Sequence, residues 1–275
     1  MASKTIVLIT GGNTGLGLET VKAMLQSPTA YHILLGSRAA EKGHAAIESL
    51  KKDYPQTSST LELLQIDIES DSSITSAFDT VKSKYGRVDV LLNNAGGSFD
   101  RHIADNTMSI RDAWNAAYNL NVAGTHYMTH VFAPLLLAST SDVPRLLFIA
   151  SGTSTLTGTS NGLEGKEGFK MEVPPAGWPK KYNSPFGFTA YQTSKTGMNM
   201  MMLNWHRIFL NDKVKVFAVS PGMLATGLGG VGSDKLKSFG ALDPSVGANV
   251  VLSVVEGKYD ENAGKVVSGK GVQAW

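Results

Sequence analysis

The chain has 275 residues, 42% hydrophobic and 17% charged, the balance of a globular protein large enough for one sizeable α/β domain. A net charge of +2, with no basic cluster interleaved with aromatics, argues against nucleic acid or a membrane surface as partner. Cysteine is absent, which excludes disulfides and thiolate metal sites.

The first predicted strand, 5–10 (TIVLIT), is short, apolar and β-branched. It starts so early that no secretory leader fits before it, and no apolar run reaches membrane-spanning length. The expected location is cytoplasmic. GGNTGLG (11–17) follows, then an amphipathic helix near 16–26. Strand, glycine loop and helix in that order form the setting of a dinucleotide site. Gly11 permits the tight turn, Gly15 lets the backbone approach a pyrophosphate, and Gly17 lets the helix pack closely on the strand. The anion would rest on free N–H groups at the helix start. A turn that merely needs positive φ is the alternative, and three spaced glycines after an apolar strand argue against it.

Further strands are expected near 31–36, 61–66, 88–92, 145–150, 214–219 and 265–268, with helices near 39–53, 72–85, 107–118, 122–139, 190–211 and 244–256. Regular alternation implies right-handed crossovers and a parallel sheet. The predicted fold is α/β: a single Rossmann-type doubly wound domain spanning 1–275, with a seven-stranded parallel sheet.

The second strand ends in Gly36-Ser37-Arg38. Enzymes that use NAD place an acid near this point for the ribose 2′-hydroxyl. Here Ser37 stands in that place, and the Arg38 guanidinium can pair with a 2′-phosphate. NADPH is therefore the expected cofactor. A solvated charge at a helix start is the plainer reading of Arg38. Asp67 closes the third strand in LQIDI, where a carboxylate also suits capping the next helix. Asn121, in NLNVAG, lies in an apolar helical run and needs a polar partner, functional or structural; Asn119 is the second choice.

Segment 152–189 breaks the alternation. It is rich in glycine and proline and holds Phe169, Trp178, Phe186 and Phe188. Its aromatics argue against simple disorder. Two readings stand: an insertion at the active-site rim with a short helix of its own, or a surface excursion that never meets substrate.

Ser151 closes the apolar run RLLFIAS, and YQTSK places Tyr191 and Lys195 four residues apart on one helix face. An ammonium beside a phenol favours the phenolate and is expected to lower its pKa, making Tyr191 an acid/base near neutral pH. The Met cluster 198–202 reads as core packing. The histidines show no ligand spacing, so no metal is expected.

TGxxxGxG (10–17), Asn93-Asn94-Ala95-Gly96, Ser151 and the Tyr191/Lys195 pair occur in the order of the classical short-chain dehydrogenase/reductase family, which the chain resembles over residues 4–270. The wide gap between Ser151 and Tyr191 makes it most similar to NADPH-dependent carbonyl reductases. The resemblance implies that Gly11, Asn13, Thr14, Gly15, Leu16 and Gly17 line the cofactor, with Ser37 and Arg38 at its 2′-phosphate. Asp67 and the N–H of Ile68 would meet the adenine. Asn94, Ala95 and Gly96 would lie beside the adenine ribose, with the asparagine side chains holding the sheet. Pro221 and Gly222 would turn the chain over the nicotinamide, the Leu224 backbone would bond its carboxamide, and Thr226 the carboxamide or diphosphate. Ser151 would bond the substrate oxygen, Tyr191 donate its proton, Lys195 hold the nicotinamide ribose, and Asn121 position a water leading to the lysine. Thr14 departs from the pattern, because related carbonyl reductases often carry a second basic residue there.

The implied reaction is reduction of a ketone, aldehyde or quinone-type carbonyl. Alcohol oxidation with NAD(P), a non-catalytic NADP-binding sensor or scaffold, and a reductase whose pocket also templates a later cyclisation remain alternatives. The glycines at 227, 229, 230 and 232 suit a substrate lid or a bland loop. In the resembling reductases an insertion like this one covers the pairing helices, so a monomer is favoured; the apolar run 197–203 keeps a dimer as the alternative.

Overall fold

The structure, a computed structural model, describes residues 4–166, 173–180 and 189–275. In chain order its elements are β1 (Thr5–Ile9), α1 (Gly15–Gln26), β2 (Tyr31–Ser37), α2 (Ala40–Asp53), β3 (Thr60–Gln65), α3 (Asp71–Tyr85) and β4 (Val90–Asn93). Then come α4 (Asp100–Ala104), α5 (Ile110–Tyr118), a π-helical stretch Asn119–Gly124 that runs into α6 (Thr125–Leu137), β5 (Arg145–Ile149) and α7 (Leu156–Leu163). The remainder are α8 (Thr189–Ile208), β6 (Lys215–Ser220), α9 (Ser233–Ser238), α10 (Pro244–Val255), β7 (Val266–Ser268) and β8 (Gly271–Gln273).

The sheet runs β3-β2-β1-β4-β5-β6-β7-β8. β1 to β7 are parallel and β8 is antiparallel to β7. Successive strand side chains face opposite sides. Ile6 and Leu8 therefore join one core with Phe132, Phe148 and Met202. Val7 and Ile9 join the other with Met24, Leu50 and Val251. Burial on both faces explains why the strands read as unbroken apolar runs. Strand order reverses between β1 and β4, which opens a crevice at their carboxyl ends.

The doubly wound α/β fold follows the sequence expectation, with differences at short elements. β8 makes an eighth strand through a two-residue turn after Ser268, where Lys270 N donates to Ser268 Oγ at 3.2 Å. Three residues are too few to carry an alternation signal. The helix expected at 107–118 begins at Ile110, because Ser109 caps it by accepting from Asp112 N at 3.1 Å. α4 and α9 were not anticipated. Ser70, accepting from Ser73 N, caps α3, so Asp67 does not have that role. The insertion has its expected short helix, α7, while Phe169, Phe186 and Phe188 lie outside the described residues.

Met198, Met201 and Met202 are core residues and Met200 faces outward. Among the described residues no helix is long and apolar enough to cross a membrane, and no cluster of three His, Asp or Glu is placed to hold a metal ion.

Candidate active site

The glycine loop joins β1 to α1 at the crevice. Gly11 and Gly15 adopt φ of 63° and 55°, which other residues rarely accept. A Cβ at Gly17 would run into the Gly11 carbonyl, so helix and turn approach only because that position is bare. Asn94 locks the loop from below: its Nδ2 donates to the carbonyls of Thr10 at 2.8 Å and Gly11 at 3.1 Å. Thr10 Oγ1 accepts in return from the N–H groups of Asn94 and Ala95, both at 3.0 Å. At the start of α1, Thr14 is extended and makes no side-chain cap, and the first turn holds no acid. The positive end of the helix dipole is thus left for an external anion beside Gly15 and Leu16. Asn13 lies in the same turn.

Ser37 is buried at the end of β2 and donates to the Ala39 carbonyl at 2.9 Å. Arg38 follows with a side chain 74% exposed, its guanidinium 3.9 Å from Glu69. An exposed pair at that distance holds the guanidinium weakly. Asp67 accepts from Glu69 N at 3.1 Å, a local turn contact, and Ile68 is buried.

The π-helical stretch carries Asn121 into a fully buried position. Its Oδ1 accepts from Gly97 N at 3.0 Å, and its Nδ2 donates to the Gly97 carbonyl and Ser194 Oγ, each at 2.9 Å. The side chain is therefore fully engaged in fixing the turn after β4 against α8. A Cβ at Gly96 would lie 2.9 Å from Asn121 Oδ1 and 3.2 Å from Lys195 Nζ, so the bare glycine is where these two groups converge. Asn119 instead donates to Glu69 at 3.2 Å.

Ser151 follows β5 and caps a single 3-10 turn, Gly152–Ser154. Its Oγ lies 2.9 Å from Thr153 Oγ1. Ser154 Oγ donates to the Ser151 carbonyl at 2.6 Å and accepts from Asn199 Nδ2 at 2.9 Å, which ties the serine turn to α8. Tyr191 lies in the first turn of α8, and Lys195 one turn further in. Lys195 Nζ sits 5.7 Å from the centre of the Tyr191 ring and donates to the Ile149 carbonyl at 2.8 Å. The electrostatic expectation is reversed here. Burial pushes Tyr191 up to about 12, against an opposing hydrogen bond from Ser151, and burial pulls Lys195 down to about 7. The ammonium lies over the ring, and desolvation of the buried phenol prevails over the lowering read from the sequence.

After β6 the chain turns at Pro221 and Gly222, whose φ is 96°. Leu224 bridges to Leu242, and Ala225 N donates to the Leu242 carbonyl at 2.9 Å. Thr226 faces the glycine loop: a Cβ at Gly15 would lie 3.7 Å from Thr226 Cβ. The glycine stretch beyond forms a 3-10 turn, Leu228–Gly230, whose Gly230 carbonyl accepts from Arg101.

Sequence reasoning missed Asp100. It is 5% exposed and accepts from Ala190 N at 2.8 Å and Tyr191 N at 3.0 Å. A capping partner 90 residues away leaves no local pattern. Ser194 was also missed, although its place inside YQTSK was a signal.

A sequence profile described as short chain dehydrogenase matches residues 5–162. The short-chain dehydrogenase/reductase eupG of Phoma sp is 44% identical over 279 residues, 99% of this chain and 98% of that protein. The short-chain dehydrogenase/reductase tropE of Talaromyces stipitatus is 45% identical over 267 residues, 97% and 96% of the two chains. Among solved structures, the NADPH-bound carbonyl reductase from chicken fatty liver matches with a TM-score of 0.76 at 19% identity, covering 99% of this chain and 100% of that one. The carbonyl reductase Sniffer of D. melanogaster matches at 0.74 with 20% identity, covering 99% and 100%. The chain belongs to the short-chain dehydrogenase/reductase family.

Proposed function

We propose that this chain, acting as one dinucleotide-binding domain, uses NADPH to reduce a ketone, aldehyde or quinone-type carbonyl. The observation that carries the reading is the convergence of Tyr191 and the buried Lys195 with Gly96, Asn121 and the strand leading to Ser151. The bare helix start at Thr14–Leu16 suits a pyrophosphate, and exposed Arg38 suits a 2′-phosphate. Asp67 and Ile68 would border the adenine, with Asn94, Ala95 and Gly96 beside its ribose. Pro221, Gly222, Leu224 and Thr226 would close over the nicotinamide end.

When bound, the dihydronicotinamide supplies the hydride that goes to the carbonyl carbon. Ser151 Oγ donates to the carbonyl oxygen and sets its position. The Tyr191 phenol then gives its proton to that oxygen as negative charge develops there. A phenol pushed up to about 12 is protonated at neutral pH, so Tyr191 enters the reduction carrying the proton it gives. Lys195 would hold the nicotinamide ribose, and Asn121 would fix the path by which Tyr191 is reprotonated. Outward-facing Met200 is a small part of the run 197–203, which supports a monomer in solution.

The test is a panel of ketones, aldehydes and quinones with NADPH consumption as readout, beside fluorescence titration of both cofactors. NADPH-dependent turnover and tighter NADPH binding are expected. Equal or tighter binding of NADH would remove the cofactor assignment.

A further inference from the structure

A proton donor in the first turn of a helix is poorly secured. The first N–H groups of a helix have no intrahelical acceptor, and helix ends fray. Tyr191 is the third residue of α8. Lys195 is a full turn deeper and held separately by the Ile149 carbonyl. The two residues of the pair therefore depend on different supports.

We propose that Asp100 is the positioning residue for Tyr191, which rests on the assignment of Tyr191 as proton donor. The carboxylate is buried and takes one N–H on each oxygen: Ala190 N on Oδ1 at 2.8 Å and Tyr191 N on Oδ2 at 3.0 Å. Thr189 Oγ1 adds a 3.5 Å contact to Oδ1, and Ser98 Oγ a 3.5 Å contact to Oδ2. Two oxygens on two consecutive amides fix both the position and the rotation of the helix start, which a single capping bond does not. The negative charge also complements the helix dipole. Asp100 does this across 90 residues of sequence, from the first residue of α4, where the chain has just left Asn94-Ala95-Gly96. It thereby ties the proton donor to the turn that is assigned to the cofactor ribose.

Geometry of this kind is costly to lose, because a misplacement of about 1 Å at a reacting group lowers rate on the order of 100-fold. Asp100 supports Tyr191 but neither the glycine loop nor Lys195, so its loss should split the kinetic constants. Asp100→Asn retains the size but turns an N–H₂ toward one of the two amides. The expected result is a kcat at least about 10-fold lower, with the NADPH Kd from fluorescence within about twofold of wild type. If the asparagine variant does not fold, Asp100→Ser carries the test, because its shorter hydroxyl gives up both amide contacts without turning an N–H₂ on them and leaves room for water. A folded variant with wild-type kcat overturns the proposal. So does a fall in kcat matched by an equal loss of NADPH affinity, the mark of general damage to the site. Tyr191→Phe, measured in parallel, separates the two ideas. If it stays active, the proton-donor assignment falls and this proposal with it. If it is inactive while the Asp100 variants stay fast, only the positioning role falls.

Discussion

The floor of the site and the segments we propose as its rim are built differently. On the floor, Asn94, Asn121, Lys195 and Asp100 each engage backbone groups from a distant part of the chain, at 2.8 to 3.1 Å. On the proposed rim, in the insertion and the turn after β6, Leu156 is 68% exposed, Trp178 86% and Leu228 42%. Buried polar groups with satisfied bonds hold one geometry. Exposed apolar side chains on short surface elements are free to vary without disturbing the core. The comparison leads us to propose that the floor carries the chemistry and the rim the choice of substrate.

The largest effect should come from the floor. Tyr191→Phe removes the proposed proton donor and leaves the ring that Lys195 covers, so kcat should fall by roughly 10²–10⁴-fold with NADPH binding unchanged. Steady-state kinetics on the best substrate of the panel check this. A variant that retains near wild-type turnover would break the division between floor and rim at its strongest point.

Arg38→Asp tests the cofactor end. It replaces a guanidinium with a like charge for the 2′-phosphate, so NADPH affinity should drop about 10- to 100-fold and the preference should turn toward NADH. Glu69, 3.9 Å from the guanidinium, adds to the repulsion in that variant. Fluorescence titration with both cofactors is the measurement, and an unchanged ratio would leave Arg38 as a solvated surface charge.

Lys195 is held on the floor at a cost in stability. Its ordinary value of 10.5 falls to about 7 in the folded chain through burial. Between those two pH values the unfolded chain holds a proton that the folded chain has lost, so stability rises with pH across that window. Below about 7 both states are charged, and the full cost of burying the ammonium is present. Lys195→Met should therefore unfold later than wild type at pH 7 and below, by on the order of a few kcal/mol, although it loses the bond to Ile149. The advantage should shrink as pH approaches 10.5. Denaturant melts at several pH values check the trend, and a variant less stable than wild type at pH 6 would contradict it.

The same division explains what the sequence could disclose. The glycine loop, Ser37-Arg38, Asn94 and the Tyr191/Lys195 pair were legible because each belongs to a local pattern: a strand followed by bare positions, a strand end, or a four-residue helical spacing. The sheet was legible because strands buried on both faces are apolar throughout. Asp100 was not legible, since its meaning lies in two amides 90 residues away. The direction of the pKa shift on Tyr191 was misread for a related reason. Spacing shows that an ammonium is near a phenol, but burial by surrounding chain decides which form of each is favoured. The π-helical stretch at Asn119–Gly124 was likewise hidden, because its residues have the same apolar rhythm as the helix it interrupts.

The smallest expected effect tests the rim. Trp178 is a large, mostly exposed aromatic in the described part of the insertion, residues 173–180. On the reading that puts the insertion at the active-site rim, we propose that this ring covers a substrate that arrives there. An aromatic contact is worth about 0.5–1.5 kcal/mol beyond its buried area, so Trp178→Ala should raise KM for aromatic carbonyls by about 3- to 10-fold. Small aliphatic carbonyls cannot reach such a ring and should show the same KM in both proteins. Because the ring makes no contribution to the floor, kcat, NADPH affinity and thermal stability should stay as they are. Steady-state kinetics over a series of increasing substrate size make the test. A KM unchanged for every substrate would assign residues 173–180 to a surface excursion, leaving selection to the loop after β6.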